Sequence, residues 1–156
     1  EEQKIDYQRF DHPALFTCED SEKYQLNIPG TDTKNLFLRE EKSGVFFLVS
    51  VRHHKRVDLK LLAQALSVKR FSFGNTEQLS SLLGVTPGSV TMLGVINDSQ
   101  NKVQLVVDIE IATSEQVQCH PLVNSSTLVL KYADLTRIFK FTGHNPIVID
   151  VPCRSI

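Results

Sequence analysis

Two short apolar runs, Leu36-Phe37-Leu38 and Val45-Phe46-Phe47-Leu48-Val49, flank a polar stretch from Glu40 to Gly44. β-prone runs separated by a short polar segment containing glycine read as a hairpin. Ile28-Pro29-Gly30 is a breaker that ends whatever precedes the first of these strands. Lys34 and Asn35 then stand at the mouth of the hairpin. A cation at the rim of a buried sheet is placed where a small anionic or polar ligand can be gripped. The residues alone support a β-hairpin with a poised lysine, and a lysine so placed is more often a solvated strand end.

The rest of the chain alternates helical and extended patterns around that hairpin. Ile5 to Phe10 alternates polar and apolar residues and reads as a first strand, turned by Asp11-His12-Pro13. Thr17 with Asp20 resembles a capping box opening a short helix to Tyr24. Asp58 is placed to N-cap a helix in which Leu59, Leu62, Ala63 and Leu66 recur at helical spacing. Val68 to Phe73 reads as a short strand. Asn75 to Leu83 reads as a second helix, capped by Asn75 or Thr76 and terminated by Gly84. Val103 to Asp108 is strongly β-prone and reads as a central strand, entered by a turn over Asn97 to Lys102. Gln116 to His120 and Ser125 to Leu130 are further strands. Asp134 to Phe141 is a helix with Leu135, Ile138 and Phe139 on one face, ended by Gly143, and Pro146 to Val151 is the last strand. Some neighbouring strands have helical connections and others short turns. The expectation is therefore one α/β domain over residues 1–156, a mixed, mostly antiparallel sheet with surrounding helices.

Composition narrows the class without naming a function. A chain of 156 residues with 41% hydrophobic and 22% charged residues is long enough to bury a core. Its net charge of −1 argues against wholesale wrapping of a polyanion. Arg52-His53-His54-Lys55-Arg56 is the dense basic cluster. Such a cluster is ordinarily a solvated loop, with a loop grazing a nucleic-acid backbone as the minority reading. If this segment is a strand, His53 and His54 point to opposite faces and do not readily share a metal. No apolar run approaches a membrane span, and no signal-peptide pattern opens the chain. Cys18, Cys119 and Cys153 are scattered and form no CxxC pair, which speaks against a disulfide framework or a zinc site and for a reducing cytoplasm.

The missing motifs separate reaction classes. There is no Gly-x-Ser-x-Gly elbow, no Gly-x-Gly-x-x-Gly, no HExxH and no cluster of carboxylates. Cys119 and His120 are neighbours, which points them apart on a strand. Gly84-Val85-Thr86-Pro87-Gly88-Ser89-Val90 is a loop dense in breakers whose glycines let backbone N–H groups approach an oxyanion or phosphate. A plain helix-to-strand turn is the commoner meaning of that composition. It lacks the ending of a Walker loop. Proline after His120 keeps that histidine extended near a strand end. An enzyme built from these parts would do chemistry that needs little covalent help.

Lys34-Asn35-Leu36-Phe37-Leu38, Asp58-Leu59-Lys60, Leu83 to Val90, Asn97-Asp98, Val107-Asp108, His120-Pro121-Leu122-Val123-Asn124 and Gly143-His144-Asn145-Pro146 follow one another along the chain. In this order they resemble the free-standing relatives of the prolyl-tRNA synthetase editing domain, the YbaK-like family of trans-editing aminoacyl-tRNA deacylases. The likeness runs from about His12 to Pro152 and is greatest to the branch that clears alanine from mischarged proline tRNA.

That resemblance implies an ester hydrolase working without a cofactor, a metal or a protein nucleophile, on a substrate that is already activated. Lys34 would hold a phosphate at the 3′ CCA end of the tRNA, and the Gly88 backbone N–H would meet the ester oxygen as charge develops. His120 would border the aminoacyl pocket. Asn35, Phe37, Pro87, Met92 and Asn124 would support substrate binding. Met92 stands where the family's loop has proline, which implies a less rigid loop or a differently shaped pocket. Cysteine or another small residue on the same tRNA is the variant substrate, and a non-catalytic tRNA- or protein-binding module is the reading from another class. The implied partners are tRNA and prolyl-tRNA synthetase, with no membrane and nothing that demands more than a monomer. Asp108 and His144 are expected to support the fold.

Overall fold

The computed structural model describes residues 7–11, 30–119, 121–122 and 125–154. The helix expected from Thr17 to Tyr24, the Asp11-His12-Pro13 turn beyond Asp11, and the opening residues Ile5 and Asp6 of the first strand lie outside these.

The hairpin forms as its sequence dictates. Strand β1 is Tyr7–Asp11, β2 is Lys34–Glu40 and β3 is Phe46–Val51. β2 and β3 are antiparallel, with Lys34 opposite Val51 and Phe37 opposite Leu48. Gly44 closes the turn at φ +76°, and its N–H donates to the Glu40 carbonyl at 2.8 Å. Helix α1, Leu59–Ala65, is N-capped by Asp58, which accepts from the Leu61 N–H at 3.1 Å. After β4, Phe71–Phe73, Asn75 opens α2, Thr76–Leu83, with a full capping box. Asn75 accepts from the Gln78 N–H, and the Gln78 side chain accepts from the Asn75 N–H. Gly84 ends the helix in the left-handed region, φ +68°. A Cβ there would stand 2.6 Å from Asn97 Nδ2, so glycine is required on both conformational and steric grounds.

The second half follows as β5 (Val103–Asp108), a four-residue α3 (Ile109–Ala112), β6 (Gln116–Cys119), β7 (Ser126–Lys131), α4 (Tyr132–Phe141) and β8 (Ile147–Ile149). The expected mixed and mostly antiparallel pairing is present, divided between two sheets. One is mixed, in the order β4-β2-β3-β5-β8, with β3, β5 and β8 parallel. The other is antiparallel, in the order β1-β7-β6. β5 is flanked on both sides, by β3 and β8, as its β-prone and largely apolar sequence fits.

Alternation along β2 and β3 supplies two apolar faces to the larger sheet. Leu38, Phe47, Val49 and Val51 pack with Leu62 and Ala63 of α1 and with Val106. Phe37, Leu48, Leu105 and Val107 pack with Leu79 and Leu83 of α2, Val117 and Leu130 of the smaller sheet, and Leu135 and Phe139 of α4. The fold is thus layered, with α1 on one side of the larger sheet and the smaller sheet, α2 and α4 on the other. No helix among the described residues is long and apolar enough to cross a membrane.

Candidate functional site

The entrance to β2 is held from the smaller sheet. Thr31 forms an isolated parallel bridge with Val117, donating its N–H to the Gln116 carbonyl and accepting from the Gln118 N–H, both at 2.9 Å. The Thr33 hydroxyl donates to the Gln118 carbonyl at 2.7 Å. Lys34, partly buried, begins β2 immediately after this clamp. Gln118 precedes His120 by two positions in the sequence. His120 and Asn124 themselves lie outside the described residues.

Asn35 ties the same strand end to the glycine loop. Its Nδ2 donates to the Val90 carbonyl at 3.3 Å. Its cross-strand partner is Ser50. The Asn35 Oδ1 and Ser50 Oγ are both buried and make no hydrogen bond among the described residues. A buried amide oxygen and a buried hydroxyl without partners are costly unless something completes them. By strand alternation Asn35 falls on the Phe37 face, whereas Lys34 falls on the face of Leu36 and Leu38. The lysine and the asparagine therefore straddle the edge of the sheet.

The loop is more ordered than its breakers suggest. Pro87–Ser89 is a 3-10 turn, closed by the Ser89 N–H donating to the Thr86 carbonyl at 2.9 Å. Pro87 is exposed at its first position, where a missing N–H and a fixed φ cost nothing. Gly88 lies between Pro87 and the buried Ser89. A second 3-10 segment, Met92–Asn97, is capped by the Thr91 hydroxyl, which accepts from the Leu93 N–H. Met92 is fully buried in the core, and Phe37 is 5% exposed. The Phe37 ring stacks on Phe46 with centroids 5.3 Å apart and planes 2° from parallel. A Cβ at Gly74 would come within 2.3 Å of that ring. Phe37 and Met92 thus belong to the same core cluster, against which Val90 packs.

Within the basic cluster, Lys55 and Arg52 face carboxylates. Lys55 Nζ lies 2.9 Å from the fully buried Asp108 carboxylate and 3.3 Å from Asp150. Burial opposes the charge on Lys55, but the hydrogen bonds and attraction of Asp108 and Asp150 outweigh it and raise its pKa. Arg52 stands 3.9 Å from both Asp32 and Glu110. Beyond Val51 the chain is a turn at His53 and His54, so the strand premise that would separate the two imidazoles does not hold. Their rings converge to a centroid distance of 3.8 Å, and His53 Nδ1 pairs with Asp32 Oδ2. Asp108 and His144 support the fold as expected. Asp108 also accepts from the Val151 N–H, and His144 is paired with the buried Asp98.

Ser50 and Asp32 are not legible locally as neighbours of this strand end: Ser50 is brought beside Asn35 by the β2–β3 register, and Asp32 is located by its pairing with His53. Cys119 is buried at the end of β6, and burial pushes its thiol pKa up to about 12, so it is unsuited to act as a thiolate nucleophile.

Residues 12–138 match the aminoacyl-tRNA editing domain family. The chain is 35% identical to the prolyl-tRNA editing protein ProX of Acetoanaerobium sticklandii, over 92% of this chain and 88% of that protein. It is 34% identical to the prolyl-tRNA synthetase associated domain-containing protein 1 of Danio rerio, covering 89% of this chain and 76% of that one. Its fold is similar to a crystal structure described as a candidate trans-editing enzyme for prolyl tRNA synthetase, with a TM-score of 0.69 at 17% identity over 96% of this chain and 87% of that chain. The match over residues 12–138 and the identity to these relatives place the chain in the aminoacyl-tRNA editing domain family.

Proposed function

We propose that the protein is a trans-editing deacylase that hydrolyses the ester of mischarged proline tRNA, with alanine as the residue removed. The observation that carries this reading is the hydrogen bond from Asn35 to the Val90 carbonyl, which ties the strand end bearing Lys34 to the Gly88 loop. An activated ester needs positioning and charge stabilisation more than a nucleophile from the protein. In this reading Lys34 holds a phosphate of the 3′ CCA end as a point charge. The Gly88 N–H faces the ester oxygen as negative charge develops there. His120 and Asn124 are assigned to the aminoacyl group by the family resemblance alone. Pro87 stiffens the loop, while Phe37 and Met92 set its depth from behind. Water attacks the ester carbonyl, and the terminal ribose oxygen leaves with a proton, giving free amino acid and uncharged tRNA. No metal and no covalent intermediate are assigned to the step. Prolyl-tRNA synthetase is the accompanying partner suggested by the relatives' names.

The test is deacylation of proline tRNA charged separately with alanine, cysteine, serine and proline, using wild type and Lys34→Ala. Loss of alanine alone, abolished by the substitution, is the expected result. Preference for cysteine or serine would keep the reaction and change the substrate. No turnover of any ester above the uncatalysed rate would leave the family's fold as a binding module.

A further inference from the structure

The turn after β3 and the segment before β2 bring together three side chains that the proposed reaction leaves unused. Continuing the β2–β3 register outward from the Lys34–Val51 pair sets Asp32 opposite His53. The pairing of Asp32 Oδ2 with His53 Nδ1 follows that register. His54 then folds back in the turn, so that one ligand atom from each of Asp32, His53 and His54 lies within 4.8 Å of the others. The His53 side chain is 13% exposed and that of Asp32 is 29% exposed, while His54 reaches solvent. One carboxylate oxygen and two imidazole nitrogens, two of the three sheltered and one open to solvent, match the donor set preferred by first-row divalent transition ions.

We propose that Asp32, His53 and His54 form a binding site for a divalent transition-metal ion of the zinc class. Three protein ligands leave the fourth position of a tetrahedral ion to water. The neighbouring cation does not forbid this. Arg52 sits 3.9 Å from Asp32 and also 3.9 Å from Glu110, both longer than a charge-assisted hydrogen bond. It can remain with Glu110 while Asp32 turns to the ion. Backbone strain is not required either, because the imidazoles already stand 3.8 Å apart. Asp32 precedes Lys34, the first residue of β2, by two positions, a span of at most about 7 Å. A bound dication would therefore add its charge to the same rim. The inference does not depend on the deacylase reading, since it concerns binding of the ion alone.

The experiment is titration of the full chain with Co²⁺, read from its visible d–d absorption, followed by displacement with Zn²⁺. One equivalent should bind at micromolar concentration in a four- or five-coordinate environment, and Zn²⁺ should bleach the spectrum. Asp32→Asn and His54→Ala should each weaken binding at least tenfold, with unchanged circular dichroism showing that the fold persists. His54 is exposed, so its substitution tests ligation without testing folding. Cys153→Ser, which removes an exposed thiol on the segment bridged to Val57, should bind as wild type does, showing that the thiol is not a ligand. Absence of Co²⁺ binding below millimolar concentration would overturn the proposal, and so would binding that survives both substitutions.

Discussion

His144 Nε2 and Asp98 Oδ2 meet at 2.9 Å, and each side chain is 1% exposed. The pair joins the chain after α4 to the turn that feeds β5. Asp98 does more than hold the imidazole, because it also accepts from the N–H groups of Lys102 and Val103 at 2.9 and 2.8 Å. The other ring nitrogen of His144 contacts the Thr142 hydroxyl at 2.9 Å. Removing one partner of such a network leaves buried polar groups uncompensated, at a cost of about 3–5 kcal/mol. Asp98→Ala should destabilise the protein by that order, and by more than His144→Ala, since it also orphans two backbone donors. Urea unfolding of the two variants checks the ranking. Equal losses would show that the backbone bonds to Asp98 contribute little.

Asn35→Ala should separate positioning from stability. The lost hydrogen bond to Val90 is worth about 1 kcal/mol at most, and the substitution also removes an unsatisfied buried oxygen, so the unfolding midpoint should move little. The loop loses its tie to the lysine-bearing strand, however, and misplacement by about 1 Å can cost on the order of a hundredfold in rate. In the proposed reaction kcat/KM for alanyl proline tRNA should fall at least tenfold. A variant with native stability and native rate would remove the Asn35–Val90 contact from the account of the site.

Lys55 gives the alkaline side of the stability profile a definite sign. Its pKa is raised above the ordinary 10.5 in the folded state by Asp108 and Asp150. The stability it contributes is therefore complete below the unfolded value and is lost as pH rises through the folded one. Tyr132, whose pKa burial also raises, loses stability over the same alkaline range. Lys55→Met isolates the lysine. The variant should be less stable by about 3–5 kcal/mol near pH 8, because Asp108 is left buried without its cation. The gap to wild type should narrow above about pH 10.5. A gap that stays constant to pH 12 would show that the ion pair is not what Lys55 provides.

What the sequence discloses is local, and the rest depends on pairing across long stretches of chain. The hairpin, the caps at Asp58 and Asn75, the left-handed stop at Gly84 and the centrality of β5 all follow from residues within one or two turns of each other. The division into two sheets does not, because β1 finds its partner by setting Tyr7 against Leu130. The four-residue α3 is too short to show a period. Lys34 and Asn35 are conspicuous at a strand mouth, yet Ser50 joins them only once the register is known, and Asp32 only through its pairing with His53. The basic cluster lies in a turn, as the commoner reading of its composition has it. The carboxylates that face Arg52 and Lys55, namely Asp32, Glu110, Asp108 and Asp150, come from three other segments and are not legible locally.

Cys119 and Cys153 should differ sharply in reactivity. Cys119 is 3% exposed at the end of β6, and burial holds its thiol pKa at about 12, so almost none is thiolate at neutral pH. Cys153 is exposed beside the bridge between Val57 and its own backbone. Brief treatment with iodoacetamide at pH 7.5, followed by peptide mass mapping, should label Cys153 and leave Cys119 unmodified. The same treatment in strong denaturant should label both. Because the Cys119 thiol packs in the core with Val117 and Leu130, its labelling rate in the native protein reports opening of the smaller sheet. The Cys119 rate should fall as stability rises and climb in Asp98→Ala, whose lost network loosens the shared core. A Cys119 labelled as fast as Cys153 in the native protein would mean that the end of β6 opens freely, and with it the clamp that holds the entrance to β2.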